Sequence, residues 1–273
     1  MSLLNVRGLT VRDLRNGEVL VNNVDFALQA NTCLGIVGES GSGKSVTCKA
    51  LIGLTNPWLE TTGDVRFAGS SLLAAPAEKL RQIRAKRICM ILQDAMTAFD
   101  PLYTMGDQLI ETLRETLSWD RRQAQSAALE ALEKMCIRDP AGVMQKYPHQ
   151  LSGGMLQRCM IALALAVRPD IVIADEPTTA LDSINQREVV DEFRRLQAVT
   201  GTAIIFVSHD LGVVEKLAQQ VLVMQNGERV EYGAAAQVFY NPQHEYTRYL
   251  VDTRIALTKP FRDAMIRRCK ISC

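Results

Sequence analysis

The residues Gly38-Glu39-Ser40-Gly41-Ser42-Gly43-Lys44-Ser45 carry the full G-x-x-x-x-G-K-[ST] spacing of a loop that holds polyphosphate. Glycines so spaced let the backbone curl until successive N–H groups converge on an anion at the positive end of the following helix. Lys44 would bridge the β- and γ-phosphates of a nucleoside triphosphate, and the Ser45 hydroxyl would be an oxygen ligand for Mg²⁺. A second centre is the apolar run Ile171-Val172-Ile173-Ala174, which ends in Asp175 and Glu176. Asp175 is suited to hold the ion through water and Glu176 to sit beside the attacking water. A third is His209, just past the apolar run Ala203 to Ser208, since open α/β sheets place ligand contacts at the C-terminal ends of core strands. The chemistry indicated is binding and hydrolysis of a nucleoside triphosphate.

These centres need strands that end, and helices that begin, along one edge. Cys33-Leu34-Gly35-Ile36-Val37 reads as a buried strand before the loop, and Val46 to Gly53 as a helix after it. Residues 3–29 alternate as an antiparallel pair: Leu4, Val6, Leu9 and Val11 lead into the Asn16-Gly17 turn signal, and Val19, Val21, Val24 and Phe26 follow. Such a sheet suits an adenine ring, yet no aromatic stands near Val11–Leu14 to stack on it. Thr62 to Gly69 reads as a strand and turn, Leu80 to Arg87 as a basic helix, and Ile88 to Leu92 as a short strand ending at Gln93. From Asp107 to Met135, Leu109, Leu113, Leu117, Ala124, Ala128 and Leu132 recur at threes and fours, so an α-helical insertion is expected over residues 94–160. Beyond it come a helix from Asn185 to Val199 and a hairpin, Val221 to Val230, centred on Asn226-Gly227. The pattern predicts an α/β fold: a mixed, mainly parallel sheet with an antiparallel β subdomain and the helical insertion.

With 273 residues the chain can bury a large core, expected as one domain over 1–250 followed by a short basic tail at 251–273. Its 31 basic residues against 30 acidic ones give no argument for a nucleic-acid partner. The N-terminus lacks the apolar core of a secretory signal, and the longest apolar run, Cys159 to Val167, is too short to span a bilayer. The chain therefore reads as soluble, able to sit against a membrane protein. Seven scattered cysteines suit reduced thiols in a cytosolic core. Cys269 and Cys273 could supply half of a metal or iron–sulfur site, but two cysteines are not four ligands.

The phosphate loop, Gln93, Leu151-Ser152-Gly153-Gly154-Met155-Leu156-Gln157-Arg158, the Asp175-Glu176 strand, Ala180-Leu181-Asp182 and His209 follow the order found in ATP-binding-cassette ATPases, and the chain resembles that family over residues 3–250. The resemblance implies a P-loop NTPase core, with ATP and Mg²⁺ as ligands. It also implies two such domains facing head to tail, each ATP lying between the loop of one (Gly38, Ser40, Gly41, Ser42, Gly43, Lys44, Ser45) and the Ser152-Gly153-Gly154 signature of the other. Elementary chemistry agrees, since Lys44 already holds the γ-phosphate from its own side. Gln157 and Asp182 join the nucleotide-facing set by the same resemblance. Glu176 would polarise the attacking water, His209 would contact the γ-phosphate, and Gln93 would sense the ion with Ser45 and Asp175 and move the helical insertion.

Within the family the chain is similar to the nucleotide-binding subunits of bacterial peptide and nickel importers. The similarity lies in Gln93 to Pro101, Tyr147 to Leu151, Ala174 to Asp182 and Asn241 to Thr247, and the Met155-Leu156-Gln157-Arg158 ending looks like the nickel type. The expected role is ATP hydrolysis that energises uptake of nickel or a metal chelate. The same role in dipeptide or oligopeptide import is the alternative. A soluble cassette ATPase acting elsewhere, or a nucleotide-gated subunit of low turnover, are further classes. Expected partners are a second ATPase subunit (self or paralogue), two transmembrane permease subunits and an extracytoplasmic solute-binding protein, with the chain peripheral on the cytoplasmic face of the inner membrane. Three departures stand out: the adenine-stacking aromatic is missing near Val11–Leu14, Ala95 occurs where the family often has proline, and Glu245 replaces a common proline in the His244-x-Tyr246-Thr247 element.

Overall fold

The computed structural model describes residues 2–92, 95–178, 183–254 and 256, with the side chains of 183–185 left aside. Gln93, Asp182, Cys269 and Cys273 lie outside the described residues, as does most of the basic tail.

Six strands form the central sheet, in the order β10-β9-β3-β8-β7-β6. They are β3 (Cys33–Val37), β6 (Ile88–Ile91), β7 (Ile171–Asp175), β8 (Ala203–Val207), β9 (Gln220–Gln225) and β10 (Glu228–Ala234). All neighbours run parallel except β9 and β10, which make the antiparallel hairpin expected from Asn226-Gly227. Both turn residues have positive φ, 49° and 80°, the conformation that the Asn-Gly pair tolerates. Strands β3, β7 and β8 are buried at every position. Successive side chains point to opposite faces, so each strand feeds two cores. Leu34, Ile36, Ile171, Ile173 and Ile205 pack on one side; Cys33, Val37, Val172, Ala174, Ile204 and Phe206 pack on the other.

The first side is closed by helix α1 (Lys44–Leu51) and by an antiparallel sheet ordered β2-β1-β4-β5. Here β1 is Leu4–Asp13, β2 Val19–Leu28, β4 Leu59–Phe67 and β5 Ser70–Ser71. The strand expected from Thr62 begins earlier, because Leu59 to Thr62 pair with the far end of β1. The basic helix α2 covers Ala77–Lys86.

The second side receives α3 (Met105–Leu117), α4 (Arg121–Lys134), α5 (Pro140–Met144) and α6 (Gly153–Val167). The single helical stretch expected over 107–135 is broken at Ser118, whose left-handed φ of 58° ends α3, and Asp120 then opens α4 with a reciprocal capping box to Gln123. Helix α6 carries the helical stretch on to Val167, beyond the expected end at residue 160. Helices α7 (Ser183–Thr200), α8 (Leu211–Leu217), α9 (Ala235–Tyr240) and α10 (245–254) complete the fold. Phe193 of α7 meets Phe206 of β8 edge to face, with centroids 5.4 Å apart. Of the described cysteines, Cys33, Cys48 and Cys159 are buried free thiols, whereas Cys136 is exposed.

Candidate active site

Strands β3, β7 and β8 end side by side, and that alignment brings the chemical residues together. After Val37 the chain turns at Gly38, whose φ is 151° and where an added Cβ would lie 2.2 Å from the Met224 carbonyl oxygen. Gly41 and Gly43 also have positive φ, and a Cβ at Gly43 would press on the Leu20 carbonyl oxygen at 2.9 Å. Glycine is required here by both backbone conformation and close approach. The Gly41 position faces open space, which is the side left for a ligand.

Lys44, the first residue of α1, is buried, and its Nζ donates to the carbonyls of Gly38 at 2.9 Å and Glu39 at 2.7 Å. Burial lowers its pKa, and the neighbouring carboxylates of Glu176 and Asp175 oppose that shift. The Ser45 hydroxyl donates to Asp175 Oδ1 at 2.7 Å across the gap between α1 and β7. Burial also raises the pKa of Asp175, with the Ser45 hydrogen bond opposing. Two hard oxygen donors so close, one of them a carboxylate, fit a Mg²⁺ ion. The Ser42 Oγ is buried without a partner among the described residues, as expected of a group that waits for a phosphate oxygen.

Glu176 follows β7 in a left-handed conformation, φ 47°, which costs a non-glycine residue about 1 kcal/mol. That turn brings its carboxylate to 4.0 Å from Lys44 Nζ and 3.4 Å from His209 Nδ1. His209 stands just beyond β8, with its side chain 59% exposed against 15% for Glu176. A shielded carboxylate beside a cation and an accessible imidazole can accept a proton from water and have its orientation held while it does so.

The expected residues Lys44, Ser45, Asp175, Glu176 and His209 therefore form one constellation. The signature residues do not join it within this chain. Ser152 caps α6, accepting from the Met155 N–H at 3.3 Å, and Gly153 and Gly154 have open space where a Cβ would stand. Gln157 is 4% exposed on the inner face of α6, its Nε2 without a partner among the described residues.

Sequence reasoning offered the first antiparallel pair as a cradle for adenine but missed the other part of the far wall. A cavity of roughly 580 Å³ over the phosphate loop is also lined by Glu18, Val19 and Leu20 of the first hairpin and by Asn226 and Gly227. The Asn-Gly turn was visible in the sequence, but its distance along the chain gave no hint that it meets the loop. No aromatic stands near Val11–Leu14 in sequence, yet the Leu14 N–H donates to the Trp58 carbonyl, and the Arg15 guanidinium lies 4.7 Å from the Trp58 ring centre.

The protein-family model described as ABC transporter matches residues 21–179. The metal-staphylopine import system ATP-binding protein CntD of Staphylococcus aureus is 43% identical over 265 residues, covering 97% of this chain and 98% of that protein. The oligopeptide transport ATP-binding protein OppD of Haemophilus influenzae is 44% identical over 252 residues, covering 92% of this chain and 78% of that protein. Among solved structures, the ATP-binding cassette MJ0796, in a dimeric post-hydrolysis state bound to ADP and Pi, superposes with a TM-score of 0.74 at 26% identity, over 85% of this chain and 98% of that one.

Proposed function

The chain belongs to the ABC transporter family and is an ATPase of it, and from that premise we propose that it powers uptake of nickel or a metal chelate through a membrane permease. The observation that carries the catalytic reading is the convergence of Lys44, Glu176 and His209 at the mouth of the phosphate loop. Lys44 and the loop amides stabilise negative charge on the β- and γ-phosphates. Glu176 orients the attacking water and accepts its proton as the bond to the γ-phosphorus forms and the bridging bond to ADP breaks. His209 holds that carboxylate in line and reaches the γ-phosphate. Ser45 and Asp175, with Gln93, would hold Mg²⁺, which supplies neutralising charge to the phosphate oxygens when bound.

Ser152 and Gly153 are exposed, Gly154 is half-buried, and all three are absent from the cavity over the loop, which supports their use by a second ATPase subunit, self or paralogue. Asp182 belongs to the same nucleotide-facing reading, whereas Gln157, buried on the inner face of α6, does not present its side chain to that side. A groove of roughly 340 Å³ between β6 and the helical layer, lined by Met90, Leu92, Phe99, Met160 and Leu163, supports reception of a cytoplasmic helix from one of two permease subunits. No helix among the described residues is long and apolar enough to cross a membrane. The chain then works from the cytoplasmic face of the membrane, and a solute-binding protein on the opposite side selects the cargo.

Metal-chelate cargo is supported by the end-to-end match to the staphylopine system subunit. Peptide cargo is the second reading, supported by the equally high identity to OppD over a smaller share of that protein. The test is radioactive nickel uptake by cells that carry the wild-type chain or Lys44→Ala, each with and without excess dipeptide. Loss of uptake with Lys44→Ala and no competition by dipeptide is the expected result. Unchanged nickel uptake in the variant would reassign the chain to peptide import.

A further inference from the structure

The His244-x-Tyr246-Thr247 element has no role in the chemistry above, yet it touches the phosphate loop. The Glu39 N–H donates to the Tyr246 hydroxyl at 3.1 Å. The same Glu39 offers its carbonyl to Lys44 Nζ at 2.7 Å and to the Ser42 N–H at 3.2 Å. One peptide unit is therefore fixed from outside by Tyr246 while its neighbour holds the phosphate-binding lysine from inside.

Tyr246 is itself held firmly. Its ring is 7% exposed, and its N–H donates to His244 Nδ1 at 3.2 Å. The preceding turn is gripped by Glu231 of β10, whose carboxylate accepts from the Gln243 N–H at 3.0 Å and the His244 N–H at 3.1 Å. Burial raises the pKa of the phenol, against the pull of its hydrogen bond with the Glu39 backbone. The anchor thus runs from a sheet strand through a buried ring to the start of the loop.

The loop needs such an anchor. Gly38 before Glu39 and Gly41 after Ser40 both sit in conformations that only glycine adopts readily, so backbone sterics alone restrain the intervening peptides little. A loop free to rearrange would lose entropy when it closes on phosphate, and fixing it in advance removes that loss. We propose that Tyr246 is a positioning residue for ATP binding, a strut that presets the Glu39 peptide and thereby Lys44. The proposal rests on the phosphate-loop reading of residues 38–45.

The test is calorimetric titration of the full chain with MgATP, as wild type, Tyr246→Phe and Lys44→Ala, together with thermal melts without nucleotide. Phenylalanine keeps the buried ring and removes only the hydroxyl. The expected result is a Kd for MgATP raised about two- to ten-fold in Tyr246→Phe, the worth of one net hydrogen bond. In the assembled transporter KM should rise with kcat little changed, because the strut touches the binding loop and not Glu176. A hydroxyl with a structural role alone would lower the melting temperature and leave Kd at the wild-type value, and that outcome overturns the proposal. If Lys44→Ala binds MgATP as wild type does, the phosphate-loop reading falls and the strut falls with it. If Lys44→Ala loses binding while Tyr246→Phe binds normally, the strut alone is wrong.

Discussion

At the scale of single residues, the site depends on charges brought close in a partly dry place. Lys44 is buried and already bonded to two loop carbonyls, so its ammonium is aimed before any nucleotide arrives. Replacing it by alanine removes the only side-chain cation among the described residues that line the loop cavity. Lys44→Ala is therefore expected to bind MgATP too weakly to measure by calorimetry, and an unchanged affinity would count against the loop assignment. Glu176 illustrates a different economy of design: its left-handed backbone is mildly strained, and that strain turns the carboxylate toward His209 and Lys44 instead of along the strand.

At the scale of elements, α6 is pinned to α7, the helix that follows β7. Arg158 of α6 binds Glu188 and, at 2.8 Å through Nε, the buried Glu192 of α7. Burial pushes the Glu192 carboxyl up from its usual 4.5 to about 7, against the pull of Arg158 and Arg195, with Glu188 adding to the rise. Below about pH 4.5 the group is protonated in folded and unfolded chains alike and its contribution to stability is complete. Between 4.5 and 7 the unfolded carboxyl ionises first, so stability is lost as pH rises, by up to about 3 kcal/mol. In denaturant unfolding the wild type should lose stability relative to Glu192→Gln from pH 5 to pH 8, and parallel pH profiles would refute this. The elements were largely legible in the sequence, because β3, β7 and β8 are continuous apolar runs and the hairpins carry Asn-Gly turns. Ser118 hid the break between α3 and α4, since a serine in a left-handed conformation leaves no mark on the apolar period. The contact of Tyr246 with Glu39 was equally hidden, because nothing local encodes a hydrogen bond between residues so far apart in the chain. Lys44, Ser45, Asp175, Glu176 and His209 were legible because each stands at a strand end or helix start, where topology alone brings them together.

At the scale of the whole molecule, the phosphate loop and the signature residues stand apart in one chain, and the proposed pairing with a second subunit uses them as two half-sites. The phosphate loop faces its own cavity, while Gly153 and Gly154 face open space at the start of α6. Gly154→Asp should leave MgATP binding by the isolated chain unchanged and lower turnover of the assembled transporter by about 10²-fold, the size of a lost transition-state donor. Equal losses in binding and turnover would place the signature on the chain's own nucleotide instead. The most direct measurement compares ATP binding and ATP hydrolysis in the purified transporter carrying the wild-type chain or Glu176→Gln. With Glu176 as the group that takes the proton from water, the variant binds ATP with wild-type affinity and hydrolyses it about 10²–10⁴-fold more slowly. Turnover near the wild-type rate would contradict the assignment of Glu176 and of the hydrolytic site built around it.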